Sequence, residues 1–415
     1  MHGEVALKVL VVGAGPAGAT TAFLLARCGV DVTLVEREMS FERVFRGEGL
    51  MPLGIDALVQ MGLQDALESV PQRLVRSWDI WIDGEESFVI PEPVEKLGGR
   101  AMRVVSQPAL LERVVEEASR HPAFTFERGT RVHDLIRDEN GRVVGAELEV
   151  AGNGSREERA DLVIGCDGRG SLVRTRADLT LELLPEQYDV LWFKLPVPEH
   201  LIEGCSIMIA VAAKRHPAIC YTSWDGRLQY GLVMPKGGLK EIREHDWVSE
   251  SVGSAPPWLA EHVLVNRARI EGPVKLNVLV GRCPQWTAPG VLLLGDAAHP
   301  MSPVRAQGIN LALRDAIVAV NHLAPVIKAN AEAYALDAAC RAVQAEREPE
   351  IVRSQKLQRQ EARGQGDARS GSWRFGLAKR GARLLGRYRW AQNAWLERQR
   401  DLRFGSTEVK LRVPS

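Results

Sequence analysis

The chain has 415 residues, of which 45% are hydrophobic and 26% are charged. This supplies enough apolar sequence for a large core, and the length predicts two or three domains. The 53 Lys and Arg residues balance 53 Asp and Glu residues, so net charge gives no reason to expect nucleic acid as a partner. The balance is uneven, because residues 351–415 hold 16 basic against 5 acidic side chains.

Six cysteines are scattered along the chain without a C-x-x-C pair. This pattern favours reduced, mostly buried thiols and a cytoplasmic location. No apolar stretch reaches the roughly 18 residues that a membrane-spanning helix needs. The first residues lead directly into an apolar strand, so we expect no signal peptide.

The first predicted elements form a strand–helix–strand unit around a Gly-rich turn. Residues 8–12 are apolar and mostly β-branched, residues 13–18 read GAGPAG, and a helix is predicted from Pro16 to Arg27. The second strand ends at Glu36, 21 residues after Gly15. This context, rather than the three glycines alone, predicts a dinucleotide site.

Each residue of this motif has a distinct expected role. Gly13 permits the tight turn, and Gly18 lets the helix pack closely. Gly15 lets backbone amides approach a pyrophosphate, which binds at a helix N-terminus because the unpaired N–H groups and the helix dipole favour negative charge. Glu36 accepts hydrogen bonds from a ribose. Pro16 and Ala17, which complete the loop, and Arg37, which follows the acid, are also predicted to bind the cofactor.

The elements that follow alternate between strands and helices. Residues 45–63 predict a loop and a short helix, and residues 106–120 predict a helix with Ser106 as its N-cap. Strands are predicted on either side, two of them paired around Asn140-Gly141. Residues 181–280 predict an antiparallel sheet followed by a helix at KEIREHDW (240–247). The α/β pattern returns near residue 290, with a helix at 309–327, and residues 328–403 predict Arg-rich helices.

Two later strands each end in an acidic turn. DLVIGCDG ends in Asp167-Gly168, and VLLLGDAAHP ends in Asp296. A carboxylate at the C-terminal end of a strand in such a sheet points into the ligand crevice, where it can bind ribityl hydroxyls. Either pair alone is a common turn, but their order and spacing predict one shared cofactor site.

Together these segments resemble the class A flavin-dependent monooxygenases, the family that includes para-hydroxybenzoate hydroxylase. The resemblance covers about residues 6–325 and rests on GAGPAG, FRGEG, SQPALLERV, GCDGRGSLVR and GDAAHPMSPVRAQGINLALRDA. It implies an α/β fold in which a Rossmann-type FAD-binding domain is interrupted by an antiparallel-sheet substrate domain and followed by a C-terminal helical segment. The implied boundaries are 1–180 and 281–327 for the FAD-binding domain, 181–280 for the substrate domain and 328–415 for the helical region.

The resemblance also implies residue roles. It places Glu36 on the adenosine ribose, Arg46 and Gln107 along the diphosphate or ribityl chain, and Asp296 on the ribityl hydroxyls. The Asp167-Gly168 pair lies near the diphosphate. The segment that wraps the isoalloxazine contains Pro303, Gly308, Ile309 and Asn310, and the helix beginning near Ile309 directs its positive end to the flavin N1–C2=O edge.

The implied reaction is single-component hydroxylation of an aromatic or a polyketide- or quinolone-like secondary metabolite. NAD(P)H binds transiently and reduces FAD, dioxygen adds at C4a, and the resulting hydroperoxide transfers one oxygen atom. The protein must exclude water so that this species does not decay. No metal ion is expected.

Two residues near the implied flavin site are candidates for special roles. Arg305 stands where the family usually has Gly, and its side chain can turn outward, contact an acidic substrate or enter the oxygen pocket. His299 is a candidate base, although packing or a structural hydrogen bond is the commoner role for such a residue.

The C-terminal helices and the aromatic residues leave alternatives open. Strand aromatics such as Trp78, Trp192 and Tyr221 can line a substrate pocket or fill the core. A single apolar stripe is predicted through residues 377–402. It can pack on the FAD-binding domain, form a dimer contact or bind loosely to an anionic membrane. We expect a monomer or homodimer.

Other functions share the FAD motifs. A geranylgeranyl-reductase-type enzyme would saturate isoprenoid double bonds, and a non-catalytic FAD-binding protein would not turn over. A flavin halogenase needs a Trp-x-Trp-x-Ile-Pro segment, which WDIWIDG at 78–84 does not match.

Overall fold

The computed structural model describes residues 7–42, 47–185, 188–238, 246–370, 373–386 and 388–413. A six-stranded sheet forms its centre. Its strands run, in spatial order, β20 (Thr287–Ala288), β21 (Val291–Leu293), β12 (Leu162–Gly165), β1 (Lys8–Val12), β2 (Asp31–Glu36) and β8 (Phe124–Arg128). All neighbours pair in parallel except β20 with β21, so the segments predicted to share one cofactor site lie side by side.

Helices cover one face of this central sheet. They are α1 (Pro16–Arg27), α5 (Gln107–Ala118) and α9 (Gln307–Lys328), and their apolar side chains form one core cluster with β1 and β2. The predicted bounds of α1 are confirmed, and Ser106 caps α5 as predicted by accepting a hydrogen bond from the Ala109 N–H at 3.4 Å.

Shorter elements surround the sheet. A three-stranded sheet of β9 (Thr130–Arg137), β10 (Val143–Val150) and β11 (Gly154–Arg159) covers its other face, and α6 (Leu172–Arg176) follows β12. A second small sheet joins β3 (Gly49–Leu50), β7 (Arg103–Val105) and β4 (Gln72–Leu74). The remaining short elements are α2 (Pro52–Gln60), α3 (Gln64–Glu68), α4 (Val94–Leu97), and the paired strands β13 (Glu182–Leu184) and β19 (Val280–Arg282).

A seven-stranded sheet forms the second layer. Its spatial order is β18 (Glu271–Leu276), β14 (Tyr188–Pro196), β17 (Arg227–Pro235), β16 (Ala218–Thr222), β15 (Ser206–Val211), β5 (Ser77–Ile82) and β6 (Glu85–Pro91). The interruption predicted at 181–280 therefore omits two strands, because β5 and β6 complete the sheet. β5 pairs with β15 in parallel, so the sheet is antiparallel except at this one pairing.

The outer face of this sheet packs on α7 (Trp247–Ser251) and α8 (Pro257–Val265). Most of the helix predicted at KEIREHDW lies outside the described residues, and α7 begins at its last residue.

The C-terminal region is helical as predicted, but its apolar residues do not form one stripe. The helices are α10 (Ala333–Ser370), α11 (Trp373–Leu385), α12 (Arg389–Arg398) and α13 (Arg400–Phe404). Leu402 is buried, whereas Leu377 and Leu384 are exposed, because α11, α12 and α13 are separate helices rather than one. Within the described parts of the chain, no helix has the length and apolarity needed to cross a bilayer.

A buried ionic network joins α9, α10 and the loop after β21. Asp315 accepts hydrogen bonds from the Gly295 N–H at 3.1 Å, from His299 Nε2 at 2.8 Å and from Arg347 Nε at 2.8 Å. Arg347 also bonds Glu350, which accepts from Arg314 Nε at 2.9 Å. Two carboxylates thus face two guanidiniums away from water.

The pKa of Asp315 reflects this arrangement. Burial alone would raise the pKa of this carboxyl, but its electrostatic interactions and hydrogen bonds with His299 and Arg347 lower the pKa to about 2. Because this folded-state pKa lies below the unfolded value of about 3.9, the carboxylate stabilises the fold above about pH 4. That contribution is lost as the pH falls through about 2.

We predict that Asp315→Asn lowers the free energy of unfolding at pH 7 by about 3–5 kcal/mol, because the substitution leaves two buried guanidiniums, Arg314 and Arg347, facing the single carboxylate of Glu350. The variant should also lose less stability than the native protein on acidification. Thermal unfolding followed by circular dichroism between about pH 7 and pH 3 measures both effects. Glu397→Gln, at an exposed ion pair with Arg400, is the control and should change little. An Asp315→Asn protein as stable as the native one would contradict the prediction.

Candidate functional site

The Gly-rich loop after β1 has the geometry that its sequence predicts. Gly13 has φ +95°, and a Cβ there would lie 2.7 Å from the Cys166 carbonyl oxygen. A Cβ at Gly18 would lie 1.9 Å from the Gly13 carbonyl oxygen, so α1 can pack on the loop only with glycine here. A Cβ at Gly15 would meet no protein atom within 4 Å. The loop is therefore closed on two sides by protein and open at Gly15.

The open side lies at the N-terminus of α1. Gly15 is the N-cap, no side chain caps the helix, and Pro16 and Ala17 form its first turn. The first-turn N–H groups and the helix dipole together make a site suited to an anion.

Glu36 lies at the end of β2, where it fixes the loop. One carboxylate oxygen accepts from the Ala14 N–H at 2.9 Å and the other from the Glu38 N–H at 3.1 Å. A carboxylate has about four acceptor positions, so holding the loop is compatible with binding a ribose. Arg37 lies at the surface, where it pairs with Glu38 at 3.1 Å. Arg46 lies outside the described residues.

Asp167 has a role that the sequence analysis did not predict. Its carboxylate accepts hydrogen bonds from the Ser171 hydroxyl at 2.5 Å and from the Leu172 N–H at 2.7 Å. It thereby holds the first turn of α6. Gln107, the first residue of α5, is buried.

Asp296 lies between the N-termini of α1 and α9. The preceding Gly295 has φ +58°, and a Cβ there would lie 3.2 Å from the Ala17 side chain. A Cβ at Gly308 would lie 3.7 Å from Asp296 Oδ1. The structure thus brings the Gly-rich loop, Asp296 and the start of α9 together from positions almost 300 residues apart.

His299 lies in the same loop, three residues after Asp296. It is 1% exposed, its ring packs on Trp286 with centroids 4.9 Å apart, and Nε2 bonds Asp315. This environment favours the structural alternative over the role of catalytic base.

The segment from Pro303 to Asn310 passes into α9, which begins at Gln307 rather than at Ile309. Asn310 ties it to β3, because its amide donates to the Gly49 carbonyl at 3.1 Å and its Oδ1 accepts from the Met51 N–H at 2.9 Å. No side chain caps α9, so its positive end is available to a ligand.

Arg305 turns inward from this segment. Its guanidinium lies 4.2 Å from the ring centroid of Trp78 and 4.5 Å from that of Trp395, and Nε donates to Glu361 at 2.9 Å. Its side chain is only 8% exposed. This environment favours the two inward alternatives over the outward-turned one. The residue keeps a left-handed backbone, φ +58°, that glycine adopts at lower cost.

Helix α10 holds the carbonyl groups of Ser302 and Val304. The Gln358 amide donates to the Ser302 carbonyl at 2.9 Å and to the Val304 carbonyl at 2.6 Å. The Gln307 amide donates in turn to the Leu402 carbonyl at 2.8 Å. The C-terminal helices therefore fix the implied flavin segment, which the sequence analysis did not predict.

The inner face of the seven-stranded sheet lies opposite this segment. An apolar row crosses six strands through successive cross-strand pairs, and its members are Trp192, Gly231, Ile219, Ile209, Ile80 and Phe88. All of them except Gly231 are half-buried. The Trp192 ring lies over Gly231, where a Cβ would meet it at 2.7 Å. At about 4.8 Å per strand, this row is about 24 Å long.

A second, polar row runs parallel to the apolar row. Lys194 and Tyr221 both pair with Gln229, and Trp78 continues the face on β5. Trp78, Trp192 and Tyr221 therefore face the central sheet. Trp81 and Phe193 pack instead on the outer helices.

The described residues fit FAD. Gly15 leaves an open cradle at an uncapped helix N-terminus, which suits the diphosphate. Asp296 lies beside it, and the uncapped start of α9 faces the same crevice at the carboxyl ends of the parallel strands.

We predict opposite outcomes for two glycine substitutions. Gly18→Ala should destabilise the apoprotein, because its methyl group overlaps the Gly13 carbonyl. Gly15→Ala should leave the thermal unfolding of the apoprotein unchanged but weaken FAD binding by about tenfold or more. Flavin fluorescence titration and thermal unfolding without FAD measure the two effects. Native FAD affinity in Gly15→Ala would show that the open side of the loop does not receive the cofactor.

Comparison with known proteins agrees with this geometry. Residues 6–350 match the family described as FAD binding domain. The chain is 35% identical over 365 residues to 6-methylpretetramide 4-monooxygenase of Streptomyces rimosus. The matched region covers 86% of this chain and 83% of that protein. It is 26% identical to squalene monooxygenase SE2 of Panax ginseng over 77% of this chain, but spans only 58% of that protein.

The fold also has solved counterparts. Para-nitrophenol 4-monooxygenase PnpA from Pseudomonas putida superposes with a TM-score of 0.79, covering 96% of this chain and 98% of that chain. At 19% identity this likeness concerns the fold. The family match and the Streptomyces relative go further, and they place this chain in the FAD-dependent aromatic hydroxylase family of monooxygenases.

Proposed function

We propose that this enzyme is a single-component, NAD(P)H-dependent monooxygenase that hydroxylates a planar, polycyclic aromatic metabolite of the polyketide type. The observation that carries this proposal is the half-buried apolar row on the sheet, which is long enough for several fused rings. The 35% identity to a 6-methylpretetramide monooxygenase supports the same substrate class.

Different residues of the crevice bind different parts of FAD. Gly13, Gly15 and Gly18 shape the loop for the diphosphate, and Glu36 receives the ribose while keeping its hydrogen bonds to the loop. Asp296 receives the ribityl hydroxyls, and the start of α9 receives the N1–C2=O edge. Bound FAD supplies hydride acceptance from NAD(P)H and oxygen activation at its C4a atom.

The chain's own contribution to the oxygen step is a dry, rigid chamber. In this proposal the Arg305 guanidinium, which lies over the Trp78 and Trp395 rings, would close one end of the chamber, and Gln358 fixes the backbone of the adjoining segment. Exclusion of water limits the loss of activated oxygen as hydrogen peroxide. The apolar row then presents a ring carbon of the substrate to the flavin.

Surface features support one further element of this proposal. Leu377, Leu384 and Trp390 are exposed in the basic C-terminal region, whereas Lys379 pairs with Asp83 and anchors α11 to the sheet. A cationic surface with exposed apolar groups suits peripheral contact with an anionic membrane, from which a lipophilic substrate would enter.

The proposed function is tested with FAD-loaded enzyme, 6-methylpretetramide and NADH or NADPH in air. We expect substrate-stimulated oxidation of the nicotinamide and a product that has gained one oxygen atom, derived from labelled dioxygen. A product that has gained two hydrogen atoms instead would identify a reductase of the geranylgeranyl-reductase type. A halogenated product formed with added chloride or bromide would identify a halogenase. FAD binding with no stimulation by any planar polyphenol would leave a non-catalytic FAD-binding protein.

We predict that Arg305→Gly increases the fraction of NAD(P)H oxidation that ends in hydrogen peroxide by about threefold or more. The substitution removes the Glu361 ion pair and both ring contacts, so the chamber opens to water. Peroxide formed per nicotinamide oxidised is the measurement. Arg389→Gly, at an exposed arginine of α12, is the control. Unchanged coupling in Arg305→Gly would mean that the stacked arginine does not keep water out.

A further inference from the structure

The Arg305 guanidinium has indole rings on two sides and is held at a single nitrogen. The rings of Trp78 and Trp395 are tilted by 51° to each other, with the central carbon of the guanidinium over both. Nε donates to Glu361 Oε2 at 2.9 Å, while Oε1 of that carboxylate is buried and has no hydrogen-bond partner among the described residues. Glu361 therefore holds Arg305 through one hydrogen bond instead of the two-point contact that such a pair can form.

The two Nη groups of Arg305 have no hydrogen-bond partner within the part of the chain that the structure describes. They are not enclosed by protein either, since both retain accessible surface. Other buried arginines differ from Arg305 in this respect, because each donates a hydrogen bond from at least one Nη group. They are Arg174, Arg314, Arg347 and Arg403. Arg305 thus presents a pair of unused donors.

These unused donors lie at the far edge of a planar, permanently charged group. The N–H bonds of two Nη groups run parallel, and their spacing matches the two oxygen atoms of a carboxylate. The same spacing suits the paired oxygens of a 1,3-dicarbonyl enolate. A guanidinium also has no acceptor atom, so it favours an oxyanion over a neutral group that itself donates. The free edge is therefore suited to an anion with two adjacent oxygens.

The free edge borders the apolar row on the substrate sheet. Trp78 and Ile80 are two residues apart on β5, so they face the same side of the sheet, and Ile80 belongs to the row. Arg305 itself belongs to the segment implied to wrap the flavin. Its guanidinium therefore lies where the β5 part of the row meets that segment, and a planar molecule on the row would bring one edge to it.

The partners of the Arg305 side chain distinguish its two inward roles. They belong to β5, α10 and α12, whereas the FAD crevice is built from the loops after β1 and β21 and the start of α9. The ion pair and the two ring contacts also fix the guanidinium on the substrate side. These contacts favour recognition of an acidic substrate over entry into the oxygen pocket.

We propose that Arg305 binds an acidic group of the substrate and thereby fixes the direction in which a planar polycyclic molecule lies along the apolar row. Its Nη groups donate to the paired oxygens of a carboxylate or of a 1,3-dicarbonyl enolate. This inference rests on the proposed function, and it narrows the substrate class to planar polycyclic acids. Because the family usually has Gly at this position, acid binding here is a property of this chain.

The test compares two pairs of probes by calorimetric titration of the oxidised, FAD-loaded protein at about pH 7.5. One pair is anthracene-2-carboxylate and the neutral anthracene-2-carboxamide. The other pair is the enolate of 2-acetylindane-1,3-dione and its 2-methyl derivative, which cannot form an enolate. The measured quantity is the ratio of the two affinities within a pair, because a change in the shape of the chamber affects both members. We expect the native protein to favour the anion by about tenfold or more in at least one pair.

Arg305→Met should reduce this preference to about threefold or less. The thioether can still pack between the two indoles, but it has neither N–H groups nor charge. Arg341→Met is the matched control and should leave both ratios unchanged, since Arg341 also lies over an aromatic ring, at 5.9 Å from that of Tyr334, but on the protein surface.

The pair that responds to Arg305→Met identifies the recognised group. A smaller ratio for the carboxylate pair indicates a carboxylic acid, and a smaller ratio for the enolate pair indicates a 1,3-dicarbonyl. A native preference that Arg305→Met retains in both pairs would overturn the proposal. So would a native protein that prefers neither anion to its neutral analogue.

Glu361→Gln keeps the test decisive if Arg305→Met does not hold FAD. The amide oxygen can still accept from Nε, but the negative charge beside the proposed anion site is removed, so the preference for the anion should rise by about threefold or more. An unchanged or lower preference would overturn the proposal. The titrations use neither NAD(P)H nor dioxygen turnover. Their outcome is therefore independent of whether 6-methylpretetramide is hydroxylated.

Discussion

The buried carboxylate of Asp315 is the constraint on which the cofactor crevice depends. It holds the Gly295 amide, and Gly295 in turn seats against α1 and precedes Asp296. Through Arg347 and Glu350 the same network reaches α10 and, at the Ser406 N–H, the C-terminal tail. Buried charges of this kind are costly unless every partner is present. The loop after β21 therefore takes its position from groups spread over the last third of the chain.

The segment before α9 illustrates how a strained backbone is maintained. Arg305 and Ala306 both have positive φ, at 58° and 49°, and each such residue costs about 1–3 kcal/mol. Glycine at position 305, which the family pattern favours, would avoid part of this cost. Here the side chain offsets it instead, through an ion pair with Glu361 and contacts with two indole rings. The departure from the family pattern is thus matched by partners on β5, α10 and α12.

Local features of the fold could be predicted from the sequence because their causes are local. The turn at Gly13, the bounds of α1 and the Ser106 cap each follow from residues within a few positions. The pairing of β5 with β15 could not be predicted, since it joins residues 129 positions apart, as Ser77 and Ser206 do. The hydrogen bond between Ser223 and Glu48 could not be predicted either, since these two residues are 175 positions apart. Asp167 was expected to lie near the cofactor diphosphate, and its position in the sequence did not reveal that its carboxylate accepts hydrogen bonds from the first turn of α6.

The contact between Arg403 and Glu92 determines how late in its synthesis the protein can complete its fold. These two buried side chains are 311 residues apart, and Arg403 lies beside Leu402, whose carbonyl receives the Gln307 amide. During synthesis on the ribosome, β5 and β6 emerge long before β15, and the implied flavin segment lacks its supports until residues 402 and 403 have been released. The nascent chain must therefore persist with an incomplete second layer until residue 403 has been synthesised, and we expect the FAD crevice to be complete only after that point.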